Sequence, residues 1–332
     1  MEERDVIVVG AGPAGLSAAM FVKLDGWNTL LFEGGWVGGQ GAIAYTVSNY
    51  PGFLPGDGAV LLENMEKQAT SPPPAGAGVE LRRERVNSID ADRRTAVTDN
   101  GQYQAQAIVL ATGSSMQRLG VPGEDKFVGK GVSYYAKRDV EKFRDKRILV
   151  VGGGNTTAKS ALLAKSVGGD VTLVHRRESL RAYPGMVKRL EAAGVAIWYD
   201  SEVREIQGGE EVRAAVVANN KTGEEREVAV DWLVICLGTE PDTRLARAAG
   251  LEMDGNYVRV DRHMMTSRPG VFACGEITGG ERHLITAASE GALAGMATSE
   301  YLALEKVKRD GTFVGAKNGK YADEYLAMIR GS

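Results

Sequence analysis

The sequence predicts an α/β protein of two three-layer ββα units, the second inserted in a discontinuous first. Three observations predict it. The apolar, β-branched run Val6-Ile7-Val8-Val9 leads into the glycine turn Gly10-Ala11-Gly12-Pro13-Ala14-Gly15 and then into an apolar-periodic stretch. The same succession recurs from Arg147. A third strand-then-glycine segment, Gly270 to Glu276, resumes the first pattern after the second has ended. With 332 residues the chain can bury two cores of ordinary size.

Taken in order, Val6–Val9 reads as a buried parallel strand, Leu16 to Leu24 as a helix, and Thr29–Phe32 as a second strand ending on Glu33. Gly10 permits the tight turn, Gly12 lets a pyrophosphate approach the backbone, and Gly15 lets the helix pack close to the strand. The helix N-terminus then faces the phosphates, and Glu33, 18 residues after Gly15, is placed to accept bonds from ribose hydroxyls. Strand, turn, helix, strand and acid in this register make a Rossmann-like dinucleotide site. Ser71 to Gly78, rich in Pro and Gly, reads as a loop inside the first domain, because strands of the same unit continue beyond it, among them Ile108 to Leu110 ahead of Ala111-Thr112-Gly113.

The second unit opens with Arg147–Val151, turns through Gly152-Gly153-Gly154-Asn155-Thr156-Thr157, and continues as a helix from Ala158 to Lys165 and a strand from Val171 to Val174. Where the first unit has Glu33, this one has His175-Arg176-Arg177, with Arg181 shortly after. Guanidinium groups there pair with a 2′-phosphate that a carboxylate would repel, so NADPH is expected over NADH. Val234 to Gly238 echoes the strand before Thr112-Gly113, and a small-residue helix from Thr286 to Ala297 follows Glu276. The expected domains are 1–116 with 243–310, 117–242, and a C-terminal extension 311–332, with crossovers near 114–123 and 239–243.

Net charge is −3, with 40 Lys and Arg against 43 Asp and Glu, which gives no reason to expect a nucleic-acid or anionic-membrane partner. No apolar run approaches the ~18 to 20 residues of a membrane span. The charged start, Met1 to Asp5, runs straight into a strand, so a cytoplasmic protein without a signal peptide is expected. The two cysteines, Cys236 and Cys274, and three histidines show no metal-ligand spacing, so no metal site is expected.

The arrangement resembles the low-molecular-weight thioredoxin reductase family over roughly Asp5 to Leu304. The markers are Gly10 to Gly15, Gly38-Gly39-Gln40, Asn49-Tyr50-Pro51-Gly52-Phe53, Ala111-Thr112-Gly113, Gly152 to Thr156, His175 to Ala182, Ala273-Cys274-Gly275-Glu276 and Glu290-Gly291-Ala292. The resemblance implies FAD in the first domain, NADPH in the second, a homodimer, and hydride transfer after one domain rotates against the other. It implies FAD contacts from Gly10, Gly12, Pro13, Ala14, Gly15, Glu33, Gly39, Gln40, Asn49, Val86, Ala111, Thr112, Gly113, Gly275, Glu276, His283 and Leu284. For NADPH it implies Gly152, Gly154, Asn155, Thr156, His175, Arg176, Arg177 and Arg181. Glu276 stands where the family usually has Asp, and His283 where it usually has Gln. A histidine there can set positive charge beside the flavin N1–C2 edge, or serve only through its backbone amide.

One departure bears on function. Where the family carries Cys-Ala-Thr-Cys-Asp, this chain reads Tyr135-Ala136-Lys137-Arg138-Asp139. Both redox cysteines are replaced and the neighbouring acid, expected to assist proton transfer, remains as Asp139. Tyr135 is the candidate to occupy the vacated space and shield the flavin. Lys137 and Arg138 add positive charge for an acidic partner. Tyr134-Tyr135-Ala136-Lys137 is also similar to thioredoxin-reductase-like ferredoxin–NADP reductases, which lack these cysteines too. The expected activity is an FAD-dependent NADPH oxidoreductase passing electrons to ferredoxin, flavodoxin, a quinone or a similar non-thiol acceptor. The alternatives are a thioredoxin or disulfide reductase working without its own thiols, and a non-catalytic FAD- and NADPH-binding sensor. Tyr321, Tyr325, Leu326 and Ile329 fall at helical spacing in the tail, a short amphipathic segment that would pack on the first domain or cover a flavin.

Overall fold

A computed structural model describes residues 1–44 and 46–310, so the tail motif around Tyr321 to Ile329 lies outside the described residues. The chain forms two compact units, one of Met1–Ser114 with the described residues from Pro241 onward, the other Ser115–Glu240.

The first unit is built on the strand Glu2–Val9, which pairs in parallel with Thr29–Phe32 on one side and Gly101–Leu110 on the other. Glu80–Arg82 extends the parallel sheet beyond Thr29–Phe32. The long strand Gly101–Leu110 serves two partners on its far edge. Its start pairs antiparallel with Thr95–Thr98, while Ile108 to Leu110 pair in parallel with Val271–Ala273. Alternation along the first strand divides the core. Val6 and Val8 face a layer holding Leu16, Ala18 and Val22 of the helix Pro13–Leu24, whereas Ile7 and Val9 face Phe32, Ile89 and Leu110. A fully buried Val, Leu, Ile or Phe side chain contributes about 1.5–3 kcal/mol.

The second unit repeats the plan. Its five-stranded parallel sheet runs Ala196–Trp198, Asp170–Val174, Arg147–Gly152, Trp232–Cys236, Val132–Ser133. A three-stranded antiparallel sheet, Ser201–Gly208, Val212–Asn219 and Glu225–Ala229, supplies the second β layer. The helices Asn155–Ser166 and Pro184–Ala192 supply the third.

Three helices extend past their expected ends. Both glycine-turn helices begin earlier, at Pro13 and Asn155, because the N-cap is a glycine and, in the first, proline at N1 needs no amide donor. The helix expected over Thr286–Ala297 runs from Leu284 to Asp310. Its continuation, Tyr301 to Arg309, consists largely of good helix formers, with Lys308 bonded to Glu305 at 2.7 Å. Ser71 to Gly78 is a loop of the first unit between the helix Gly58–Thr70 and the strand Glu80–Arg82.

Candidate functional site

In the first unit the glycine turn crosses the end of Gly101–Leu110. A Cβ at Gly10 would lie 2.3 Å from the carbonyl oxygen of Ala111, and one at Gly15 only 1.7 Å from that of Gly10. A Cβ at Gly12 would meet nothing within 4 Å. Gly12 is also the N-cap of Pro13–Leu24, so no side chain of the N-cap takes up the helix's first amides. Glu33 turns back over this turn, accepting from the Ala11 amide at 2.8 Å and the Gly35 amide at 2.6 Å.

Further along the same unit, expected residues meet in pairs. The Gln40 amide donates to the Ser114 carbonyl at 3.3 Å, and the Ser114 hydroxyl donates to Glu276 at 2.7 Å. Glu276 also pairs with Arg282 at 3.1 Å. Asn49 Nδ2 lies 3.4 Å from His283 Nδ1, both side chains exposed. The Gly39 carbonyl accepts from the Trp36 indole at 3.0 Å. Thr112 donates its hydroxyl to the Asp242 carbonyl at 2.6 Å, stapling the chain as it leaves the unit to the chain as it returns. The Val86 side chain is buried among the Phe32 and Ile89 group, leaving only its backbone for a ligand. Ala14 and Ala111 are likewise buried. Leu284 begins the last helix, half-buried, with its Cδ2 against Gly41.

The second turn is similar in outline. A Cβ at Gly152 would meet the Cys236 carbonyl oxygen at 2.3 Å, whereas one at Gly154, the N-cap of Asn155–Ser166, would meet nothing within 4 Å. Asn155 accepts from the Tyr183 amide at 2.9 Å, and Thr156 is exposed. Arg176, Arg177 and Arg181 are exposed and form no ion pair among the described residues. His175 differs from them. It is only 5% exposed and its Nε2 has no partner. Burial pulls its pKa down, aided by the charges of Arg181 and Arg177 and opposed by backbone groups of Ser179 and Gly152.

The segment that stands where the family has its thiols is a short helix, Ala136–Asp139, capped by Tyr135. Asp139 is 3% exposed and accepts from Ser133 at 2.6 Å, Lys142 at 2.9 Å and Arg138 at 3.0 Å. Burial alone would raise its pKa, but these three donors outweigh it and hold the carboxyl below its ordinary value. Asp139 is therefore a fixed anion that anchors two cations. Arg138 in turn lies over the Tyr135 ring, 5.1 Å from its centroid. Neighbouring Tyr134 donates to buried Glu124, which also takes the Leu119 and Gly120 amides at 3.0 and 2.7 Å. Neither cysteine is poised for exchange. Burial pushes the Cys236 thiol up to about 11, and Cys274, wholly buried, is pushed up as well.

Ser114, Trp36, Asp242 and Glu290 were not among the expected site residues. Glu290 accepts from the Gly275 amide and the Thr278 hydroxyl, both at 2.8 Å, and so holds the Gly275 turn. Glu290 lies in a recognised marker, but nothing in the sequence names its partner.

The chain matches the family described as pyridine nucleotide-disulphide oxidoreductase over residues 4–292. It is 37% identical over 307 residues to a thioredoxin reductase of Treponema pallidum, spanning 90% of this chain and 97% of that protein. A thioredoxin reductase structure from Lactococcus lactis is similar with a TM-score of 0.76 at 33% identity, covering 90% of this chain and 99% of that one. A ferredoxin-flavin thioredoxin reductase from Clostridium acetobutylicum is similar with a TM-score of 0.50 at 26% identity, covering 91% and 99%.

Proposed function

The chain belongs to the pyridine nucleotide-disulphide oxidoreductase family, and on that premise we propose that it passes electrons from NADPH through FAD to a non-thiol acceptor. It is an oxidoreductase whose cofactors are FAD and NADPH. The residues present fit both groups. Each turn leaves one glycine, Gly12 or Gly154, facing open space at a helix start whose N-cap has no side chain, as a pyrophosphate requires. When bound, the nicotinamide supplies a hydride and the flavin a carrier that can release electrons singly or in pairs.

In this scheme Gly10 to Gly15 and Glu33 receive the FAD phosphates and ribose, while Asn49 and His283 orient the ring edge. Arg176, Arg177 and Arg181 receive the 2′-phosphate. Asp139 holds Arg138 over Tyr135, the aromatic that stands where the family has its first thiol. The observation that carries the proposal is the lack of a dithiol. The chain has two cysteines, one in each unit, both with raised pKa, and a protein disulfide cannot be exchanged on such thiols. The likeness to a ferredoxin-flavin thioredoxin reductase supports a ferredoxin-like protein as partner, and a homodimer as the working form is part of the same proposal.

The test is an anaerobic stopped-flow mix of the yellow protein with NADPH, following flavin absorbance near ~450 nm. Rapid bleaching is expected, then reoxidation by ferredoxin, flavodoxin or a quinone but not by thioredoxin. Sustained thioredoxin turnover would instead establish thiol-free disulfide reduction, the reading favoured by identity to the Treponema protein. Absence of bleaching with FAD bound would point to a sensor or another reductant.

A further inference from the structure

The second glycine turn and the arginine loop are joined at one residue, Gly153. From one side the His175 ring lies flat against it, so that a Cβ at Gly153 would sit 2.2 Å from His175 Cε1 and 2.4 Å from Nδ1. From the chain's return, the amides of Arg181 and Ala182 both donate to the Gly153 carbonyl, at 2.7 and 3.0 Å. The loop bearing Arg176, Arg177 and Arg181 is therefore pinned to the turn at both ends. His175 is itself fixed in the sheet margin, its amide donating to Trp198 and its carbonyl accepting from Ser201, at 2.9 and 3.0 Å.

We infer that His175 is a positioning residue, a ring clipped on Gly153 that sets the distance from the phosphate turn to the arginines, and so the preference for a 2′-phosphorylated dinucleotide. The inference rests on the second unit being the NADPH site. Two observations separate this role from direct contact. The ring is buried while the three arginines are exposed. The volume it fills is the one a side chain at Gly153 would need. Discrimination between dinucleotides then depends on where the guanidinium groups stand, since charge-assisted bonds to a phosphate weaken steeply with misplacement.

The experiment uses the FAD-loaded protein and oxidised dinucleotides, which bind without reducing the flavin. Dissociation constants for NADP+ and NAD+ are measured by calorimetry for the wild type, His175→Phe, His175→Gln and Gly153→Ala. The wild type is expected to favour NADP+. His175→Phe, which keeps a planar ring and lacks the nitrogens, should retain most of that ratio. His175→Gln, polar but not planar, and Gly153→Ala, which displaces the ring, should each cut it about tenfold, chiefly through weaker NADP+ binding. The reverse order, Gln retaining the ratio and Phe losing it, would overturn the clip and make His175 a direct contact. Equal ratios in all variants would overturn it too. A wild type without preference for NADP+ would overturn the site reading beneath it, an outcome distinct from the other two. Should Gly153→Ala fail to fold, the opposed Phe and Gln variants decide the matter alone.

Discussion

The two glycine turns share a backbone and differ in the residue that follows the next strand. In the first, Glu33 folds back and spends both carboxylate oxygens on backbone amides, of Ala11 and Gly35. In the second, His175 turns inward, packs on Gly153, and leaves three arginines in solvent without ion pairs among the described residues. The open glycine, Gly12 or Gly154, occupies the same place in both. On the proposed reading a common turn binds phosphate, while the end of the second strand decides which ribose is accepted. An anion there suits bare hydroxyls and a cationic loop suits a phosphate. On the inference drawn above, the histidine holds the cationic loop, whereas Glu33 is held by the two amides it accepts from.

The largest effects come from breaking each turn separately. Gly15→Val would drive side-chain atoms into the Gly10 carbonyl and should yield colourless or insoluble protein, read as loss of flavin absorbance on purification. Gly152→Ala, blocked by the Cys236 carbonyl, should keep the yellow colour and lose NADP+ binding in calorimetry. Loss of colour in the second variant would show that the two sites are not separable. Next in size, Arg181→Ala should weaken NADP+ binding by about tenfold and leave NAD+ within about twofold, because one charge-assisted contact to the phosphate is removed. Equal losses for both dinucleotides would place Arg181 at the shared pyrophosphate instead.

The smallest effect is a pH dependence confined to the second turn. His175 is held neutral in the folded protein, its pKa below the ordinary value of 6.5. Near and below pH 6.5 the unfolded chain takes up the proton more readily than the folded one, so stability present above that pH is lost as pH falls. Arg177 and Arg181 face the ring with the same sign of charge and act in the same direction. The melting temperature should therefore decline more steeply in acid for the wild type than for His175→Phe. Parallel declines would show that the ring titrates as it would in water.

Much of the site was legible because it is local. Gly10 to Gly15 with Glu33, and Gly152 to Thr157 with Arg176 and Arg177, each lie within one strand–turn–helix–strand run, where spacing alone fixes neighbours. Gly275 and Glu276 were legible for the same reason. What escaped was non-local. Glu290 reaches Gly275 across the start of the last helix, Ser114 reaches Glu276 from the far end of the first segment, and Thr112 reaches Asp242. Asp139 was legible as an acid beside missing thiols. Its clamp by Ser133, Arg138 and Lys142 was not, because it is these three donors, acting against burial, that hold the carboxylate as an anchoring anion.

By itself the sequence determined the number of nucleotide units, their nesting, and the acid-versus-arginine contrast between them. It also determined that no Cys-x-x-Cys stands before the second turn. These are matters of order along the chain, which hydrophobic periodicity and glycine spacing encode directly. The tertiary structure alone decided that His175 is buried beneath the arginines and not beside them. It also decided that the thiols of half-buried Cys236 and buried Cys274 are held protonated, and that the last helix runs on to Asp310. Burial and pairing are set by segments distant in sequence closing on one another. The charge state and reactivity of a side chain follow from that enclosure, not from its neighbours in the chain.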